Sequence, residues 1–215
     1  MRRININKKN IIASILIFAS ILSIKNIVSL DNTKIYVNPS NGSYNVGSTF
    51  SVNVDVANAN KLSAWDFKLY YDTKLLDVVN TATEGTFLSK VGTTFYGVKE
   101  IKDNYNATHG RIWAYAVSMN QDGASGSGTL AKINFKVIDQ GTGNIILSET
   151  KLSDNSVNKI SHTTGNGKYD FKQSCTCTAW KASYICCSTG KGKWTRTCTP
   201  KACQVESKCE GACFV

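Results

Sequence analysis

Hydrophobic and polar residues alternate through most of the chain beyond residue 33, with the period of two that is typical of half-buried β-strands. The segments Phe50–Val56 and Trp65–Tyr71 both alternate without a break. In the second segment the residues predicted to face a core are Trp65, Phe67, Leu69 and Tyr71, and those predicted to face outward are Asp66, Lys68 and Tyr70. In the segment 131–137 the predicted inward residues are Ala131, Ile133, Phe135 and Val137, and the outward ones include Lys132 and Asn134.

Shorter apolar runs fill the intervals, and turn-forming residues separate them. The runs are 35–37, 75–79, 93–98, 112–117 and 145–147, and the glycine-containing segments predicted to turn are 41–43, 123–128, 141–143 and 165–167. No long stretch of helical period follows the N-terminal segment. The pattern predicts an all-β fold, an antiparallel jelly-roll β-sandwich of about nine strands.

Cysteines divide the chain into two parts. All eight lie in the last part of the sequence: Cys175, Cys177, Cys186, Cys187, Cys198, Cys203, Cys209 and Cys213. The region before them must rely on an apolar core, whereas residues 172–215 are too few to bury much apolar surface and need covalent or metal crosslinks. We therefore predict a sandwich over residues 31–171 and a small disulfide-rich module over residues 172–215.

Disulfides are favoured over zinc in this module because its cysteine spacings contain no C-x2-C pair. We predict no metal site. Eight cysteines allow many connectivities, and the sequence does not choose among them. Cys186 and Cys187 are adjacent, and a disulfide needs α-carbons about 5.5 Å apart, so we expect them to bond to separate partners.

The N-terminal segment has the layout of an export signal. Four basic residues precede an apolar run from Ile11 to Ile24, which is too short for a bilayer core that needs about 20 residues. We predict that residues 1–30 are a cleaved signal peptide, with Ser29 as the residue before the cut, and a retained anchor is the alternative. The mature chain is then secreted or on the cell surface, without a membrane span.

Positive charge is confined to the two ends of the chain, although the formal net charge is +10. Residues 1–30 carry five basic and no acidic residues, residues 31–171 carry thirteen of each, and residues 172–215 carry seven basic and two acidic residues. A protein that wraps nucleic acid needs basic groups over its folded core. The neutral central region therefore argues against a nucleic-acid partner.

Four segments resemble the cohesin domain, a jelly-roll module that binds dockerin modules. They are WDFKLYYDTKLLDVV, GRIWAYAV, GSGTLAKINFKV and GTGNIILSETKLSD, in the order of the family. The resemblance implies a dockerin-binding surface on the outward side of one sheet, with Asp66 as its acidic residue. Lys68 and Tyr70 share that side by alternation, and Lys132 and Asn134 are expected outward on the strand that matches the family's eighth.

Two aromatic residues are further candidates for this surface. If Ile112, Ala114 and Ala116 face the core, Trp113 and Tyr115 face outward, where they suit a protein partner or a sugar ring. The alternatives are that Trp113 belongs to the core and that Asp66 is only a solvated strand residue.

Nothing in the sequence indicates an active site or a cofactor. The only histidines are His109, in a turn-like segment, and His162, near the last strand. Asp72 and Asp77 flank a short loop and are interpreted as solvated rather than as a calcium or glycosidase pair. No D-x-[DN]-x-[DN]-G loop is present, so the chain is not itself a dockerin. We predict a non-catalytic binding protein that needs no cofactor.

The C-terminal module weakly resembles thrombospondin type 1 repeats, in which tryptophans stack with arginines. The resemblance implies that Trp180, Trp194 and Arg196 form such a ladder. The leading functional hypothesis is an exported protein whose sandwich binds a dockerin-like or other extracellular protein, with the basic module as a second contact. The alternatives are a carbohydrate-binding adhesin, with a polysaccharide as partner, and an envelope structural protein.

Overall fold

The computed structural model describes residues 32–120, 122–189, 191–199, 203 and 206–212. The predicted signal segment, residues 1–30, lies outside the described residues. Within the described part, no helix is long and apolar enough to cross a membrane. Its single short helix is α1 (Thr86–Ser89).

Eleven strands form the sandwich. They are β1 (Lys34–Asn38), β2 (Asn41–Asn45), β3 (Thr49–Asp72), β4 (Leu76–Val78), β5 (Thr83–Glu84), β6 (Thr94–Lys102), β7 (His109–Ser118), β8 (Ala124–Val137), β9 (Gly141–Asp154), β10 (Thr163–Gly165) and β11 (Gly167–Lys172). Most pairs are antiparallel, and β1–β10 and β2–β11 are parallel. The predicted all-β sandwich is confirmed.

Strand β3 belongs to both layers because it is long and bent. Its first half pairs with β1 and β8, and its second half pairs with β7 and β9. The ladder with β8 shifts register between Val56 and Leu62, where Asn58 and Lys61 have positive φ angles of 55° and 51°. Such irregularities increase the local twist and let one strand pass from one sheet to the other.

The layers therefore have distinct strand orders. The first layer runs β10–β1–β3–β8, with β4 and β5 on the far side of β8, and the second runs β6–β7–β3–β9–β11–β2. The predicted inward residues of β3, β7 and β8 all join one buried cluster. Because both layers face this cluster, their outward sides point in opposite directions.

One polar residue departs from the predicted alternation. Alternation predicts that Asp55 lies on the solvent-facing side of β3, yet only 8% of the residue is exposed. Its Oδ2 accepts a hydrogen bond of 2.7 Å from Asn38 Nδ2 on β1. A neighbouring strand thus supplies a partner for one oxygen of this buried carboxylate, whereas Oδ1 is buried without a hydrogen-bond partner among the described residues.

Three of the four predicted turns are strand instead. Residues 41–43 lie in β2, 124–128 begin β8, and 141–143 begin β9. Close packing explains the glycine at position 143, since a Cβ there would lie 3.0 Å from Phe171 and 3.1 Å from Leu75. In the fourth segment, Gly165 and Gly167 are also strand residues, and Asn166 alone separates β10 from β11.

The C-terminal region forms small sheets of its own. Its strands are β12 (Thr176–Cys177), β13 (Lys181–Cys186), β14 (Lys191–Arg196), β15 (Cys198–Thr199) and β16 (Glu206–Ala212). β12 pairs with β15, and β14 lies between β13 and β16. Residues 32–215 form one compact unit, so the module boundary at residue 171 stays a prediction.

Disulfides hold these small sheets, as predicted. The described pairs are Cys175–Cys203, Cys177–Cys198 and Cys187–Cys209. Cys186 is also disulfide-bonded, and Cys213 lies outside the described residues. The partner of Cys187 is Cys209 rather than its neighbour Cys186, as expected from disulfide geometry.

Candidate functional site

The outward side of the second layer carries most of the predicted site residues. We call this surface, formed by β6, β7, the second half of β3 and β9, the outer face. Register aligns its side chains in rows across β7, β3 and β9: Tyr115–Asp66–Lys151, Trp113–Lys68–Ser148 and Arg111–Tyr70–Ile146. The alternation in β3 and β7 thus predicted correctly that Asp66, Lys68, Tyr70, Trp113 and Tyr115 lie together.

Trp113 stands at the centre of the outer face. Its Nε1 donates a hydrogen bond of 2.9 Å to Asp66 Oδ2. Two ammonium groups lie over its ring, Lys99 Nζ at 3.9 Å and Lys68 Nζ at 4.7 Å from the ring centre. The alternative that Trp113 belongs to the core is wrong, because the ring is only partly buried and its contacts are with charged groups.

Lys68 connects the centre to β9 through an ion pair with Glu149. The Tyr70 hydroxyl also donates to Glu149 Oε1, at 3.3 Å. The hydrogen bond from Lys68 holds the pKa of Glu149 below its usual value, and the same bond raises the pKa of Lys68. Burial raises the pKa of Tyr70. All three groups therefore keep their ordinary neutral-pH charge states.

Arg111 forms the end of the outer face next to Tyr70. Its Nη2 lies 2.5 Å from Glu100 Oε2, and its guanidinium lies 3.9 Å from the ring centre of Tyr105. The hydrogen bond to Glu100 is the main reason that the pKa of Arg111 is raised. Arg111 Nε and Glu100 Oε1 are buried and have no hydrogen-bond partner among the described residues, so this ion pair leaves one donor and one acceptor unsatisfied.

The opposite end of the outer face is apolar on the side of β6 and β7. The Tyr115 ring lies against Gly97 of β6, where a Cβ would be 2.6 Å from the Tyr115 hydroxyl. Phe95 packs near Tyr115 with ring centres 6.2 Å apart and remains 57% exposed. Val117 and Met119 are 42% and 67% exposed. The face thus changes from charged to apolar along β6 and β7.

Lys132 and Asn134 do not lie on the outer face. They are outward on β8, as predicted, but β8 belongs to the first layer, where they stand opposite Asn53 and Ser51. Ser51 Oγ donates to Asn134 Oδ1 at 2.6 Å. Lys132 and Asn134 therefore do not share a surface with Asp66, because alternation shows which side of a strand is buried but not which layer the strand joins.

β9 lies beside the second half of β3, and it contributes residues that the sequence analysis missed. Glu149 was missed because it sits at a bulge, with a φ of 49° and a register shift against β3 that breaks the alternation. Lys99 was missed for the same reason, since the β6 ladder shifts between Val98 and Glu100. No periodic signal marks either position.

The remaining candidate residues lie away from the outer face or at its margin. His162 lies between Thr150 Oγ1 and the carbonyl oxygen of Ile160, both at 2.8 Å. His109 begins β7 and contacts Thr108 Oγ1 at 2.7 Å. Asp72 Oδ1 accepts a hydrogen bond of 2.9 Å from the Lys74 backbone nitrogen. Within the described ranges, no group of three or more acidic, histidine or cysteine side chains is placed to hold a metal ion.

The tryptophans of the C-terminal region also contact cations. The Arg196 guanidinium lies 4.7 Å and Lys208 Nζ lies 5.0 Å from the ring centre of Trp180. Trp194 Nε1 donates to the carbonyl oxygen of Glu210 at 3.1 Å. Arg196 thus contacts Trp180, whereas the predicted pair was Trp194 and Arg196, and the thrombospondin-like ladder stays a prediction.

Solved cohesin structures are similar to this chain. A non-cellulosomal cohesin from the archaeon Archaeoglobus fulgidus is 20% identical, with a TM-score of 0.54, over 65% of this chain and 91% of that one. The sixth cohesin of Acetivibrio cellulolyticus scaffoldin B, solved with the Cel5 dockerin, is 17% identical, with a TM-score of 0.55, over 66% and 99%. A type I cohesin from a Clostridium thermocellum cohesin–dockerin complex is 20% identical, with a TM-score of 0.52, over 66% and 99%. These likenesses establish the fold.

A family profile agrees with the structural comparison. No curated protein sequence matches the chain. The family profile described as "Cohesin domain" matches residues 27–171, which is more than half of the 215-residue chain. The chain therefore belongs to the cohesin family.

Proposed function

We propose that the chain is an exported, non-catalytic binding protein whose outer face recognises a dockerin-like module of another protein. The observation that carries the proposal is the Asp66 carboxylate, which Trp113 Nε1 holds at 2.9 Å in the middle of an exposed sheet surface. A carboxylate fixed in this way loses little conformational freedom when a partner donor binds to it. Similar cohesins were solved in complexes with dockerins, which supports this class of partner.

The charges of the outer face favour a folded protein partner. Lys68 lies one row from Asp66 and Arg111 two rows away, and each of these two cations is already paired with a glutamate. Paired charges of this kind in the centre of the face give little attraction for a uniformly charged polymer. Such fixed charges suit a protein surface with the complementary pattern of charges. Complementarity of this kind fixes the orientation of the bound partner and disfavours wrong partners.

The aromatic residues favour a protein over a polysaccharide. Stacking on a sugar requires an open ring face, but Lys99 and Lys68 already lie over the ring of Trp113. Tyr115 lies against Gly97 on one side. The exposed apolar residues next to it, such as Phe95, are better suited to contact with an apolar protein surface.

The C-terminal region supports the proposed location outside the cytosol. Disulfides persist in oxidising compartments and are rare in the cytosol, and this region contains three described pairs. We propose that it is a separate basic module that makes a second contact. The contact of Arg196 with Trp180 is consistent with a thrombospondin type 1-like arrangement.

Titration of the full chain with dockerin modules tests the proposed face. The variant Asp66→Asn keeps a side-chain oxygen as acceptor for Trp113 Nε1 and removes only the negative charge. We expect it to weaken binding by about tenfold or more, which corresponds to about 1.4 kcal/mol. The matched control is Lys132→Ala, which removes an outward charge from the opposite layer and should leave the dissociation constant unchanged.

Three outcomes would count against the proposal. An affinity unaffected by Asp66→Asn would move the site away from the outer face. An equal loss from Lys132→Ala would show that general charge, and not this face, is recognised. Binding of glycans in place of every dockerin module tested would favour the adhesin alternative.

A further inference from the structure

A groove extends the outer face beyond the outer edge of β9. Residues 155–159 fold back on the end of this strand, where Ser153 pairs with Lys159 and the Ile160 nitrogen donates to the Leu152 carbonyl oxygen at 2.8 Å. The groove between the two segments has a volume of about 590 Å³. Lys151, which lines it, is the register neighbour of Asp66. The groove is therefore continuous with the outer face.

The charge in this groove is positive and uncompensated. Lys151 and Lys159 both line it and are exposed. Among the described residues neither forms an ion pair. Glu149 also lines the groove, but its charge is paired with Lys68. An incoming acidic side chain would meet two ammonium groups without having to displace an existing carboxylate.

Val157 forms an apolar point at the rim of the groove. It is 85% exposed, and its φ of 64° is a left-handed conformation that β-branched residues rarely adopt. The loop is nevertheless fixed, because Asp154 Oδ1 accepts hydrogen bonds from the backbone nitrogens of Ser156 and Asn158 at 2.9 and 2.8 Å. A strained, exposed valine on a well-bonded loop points to a functional contact.

A second hollow lies on the other side of Val157. It has a volume of about 330 Å³ and shares Ser153 and Val157 with the groove. Ser63 lines it, is only 7% exposed, and has a buried Oγ without a hydrogen-bond partner among the described residues. Val117 of the outer face lines the same hollow. A partner that covers Val157 would thus fill a hollow on each side of it.

We propose that Val157, Lys151 and Lys159 form a specificity site that binds an acidic side chain next to an apolar side chain of the partner protein. The lysines attract the carboxylate, and Val157 provides the apolar contact. This inference rests on the proposed function in one respect, since it takes the groove to be part of the same partner-binding surface.

Short labelled peptides test the site in the full chain. One peptide carries a single Leu-Glu pair in a Gly-Ser frame, a second replaces Glu with Lys, and a third replaces Leu with Ser. By fluorescence anisotropy at low salt we expect the Leu-Glu peptide to bind about fivefold tighter than the Leu-Lys peptide. The Ser-Glu peptide should bind more weakly than the Leu-Glu peptide.

Two variants assign the preference to these residues. Lys151→Glu combined with Lys159→Glu should reverse the preference between Glu and Lys peptides. Val157→Asn should weaken binding of the Leu-Glu peptide while leaving thermal stability unchanged or raised, because Asn tolerates positive φ. The matched control, Lys132→Glu with Lys136→Glu, makes the same charge change on the first layer and should keep the preference.

The proposal is overturned by equal affinity for the Glu and Lys peptides, by no measurable binding of any peptide, or by a reversal in the control. Equal binding of the Leu-Glu and Ser-Glu peptides would show that the groove binds anions without an apolar contact, and this result would also overturn the proposal. If peptide preference holds while no dockerin binds, only the proposed function fails. If dockerins bind in an Asp66-dependent way without any peptide preference, only this inference fails.

Discussion

The sandwich and the C-terminal region are stabilised in different ways. The sandwich contains no cysteine, and all of its layers pack on one buried apolar cluster. In the C-terminal region, the buried hydrophobic residues that the structure describes are two disulfide-bonded cysteines, Cys198 and Cys203. Below a certain size a chain cannot bury enough apolar surface, and covalent crosslinks take over that role. The two regions should therefore respond to different perturbations.

The largest expected effect is loss of a core aromatic in the sandwich. Phe67 is fully buried in β3, so Phe67→Ala should lower the free energy of unfolding by about 3–5 kcal/mol. Phe95→Ala is the matched control, because Phe95 lies in the same layer and is 57% exposed. Phe95→Ala should lower the free energy of unfolding by only a small fraction of the loss in Phe67→Ala. Urea denaturation of both variants measures the difference, and similar losses would contradict the described core.

A disulfide of the C-terminal region should have a smaller and local effect. The bond between Cys187 and Cys209 closes a loop with a sequence separation of 22. Replacing both cysteines with serine should destabilise this region by about 3 kcal/mol. Limited proteolysis should then cut the C-terminal region faster and leave the sandwich intact. Faster cleavage within the sandwich would show that the regions depend on each other.

Alkaline pH should affect the sandwich through a half-buried tyrosine, Tyr96. Burial raises the pKa of Tyr96 from 10.0 to about 12, and its hydroxyl donates to the Ala82 carbonyl oxygen at 2.8 Å. Because folding raises this pKa, the protonated hydroxyl of Tyr96 contributes fully to stability below pH 10, and the contribution is lost as the pH rises towards 12. Thermal melts of Tyr96→Phe should show a weaker decline over this range. The control Tyr105→Phe, at a 39% exposed position, should decline as the wild type does.

The smallest expected effect concerns charge. Seven basic residues face two acidic ones in residues 172–215, whereas the sandwich is neutral. Retention on an acidic polysaccharide column should depend on the C-terminal region and fall as salt rises, since the Debye length is about 10 Å at 0.1 M. Lys191→Gln with Lys193→Gln should elute at lower salt than Lys132→Gln with Lys136→Gln. Coelution of the two double variants would contradict a localised basic surface.

Hydrophobic and polar alternation predicted the sandwich correctly wherever the prediction depends only on neighbouring residues of one strand. Alternation in β3 correctly separated core residues such as Phe67 from outward residues such as Asp66. It could not assign β8 to a layer, because pairing between distant strands depends on the three-dimensional path of β3. As a result Lys132 was placed on the wrong surface, and the role of β9 was missed. Bulges hid Glu149 and Lys99, because each one interrupts the period that the prediction used.

Hydrogen exchange of the full chain, measured by mass spectrometry with and without reductant, tests the separate stabilisation of the two regions most directly. The account predicts that reduction speeds amide exchange in peptides from β13, β14 and β16 and leaves the protection of β3, β7 and β9 unchanged, because no disulfide supports those sandwich strands. Loss of protection in β3 on reduction, or unchanged protection in β14, would contradict it.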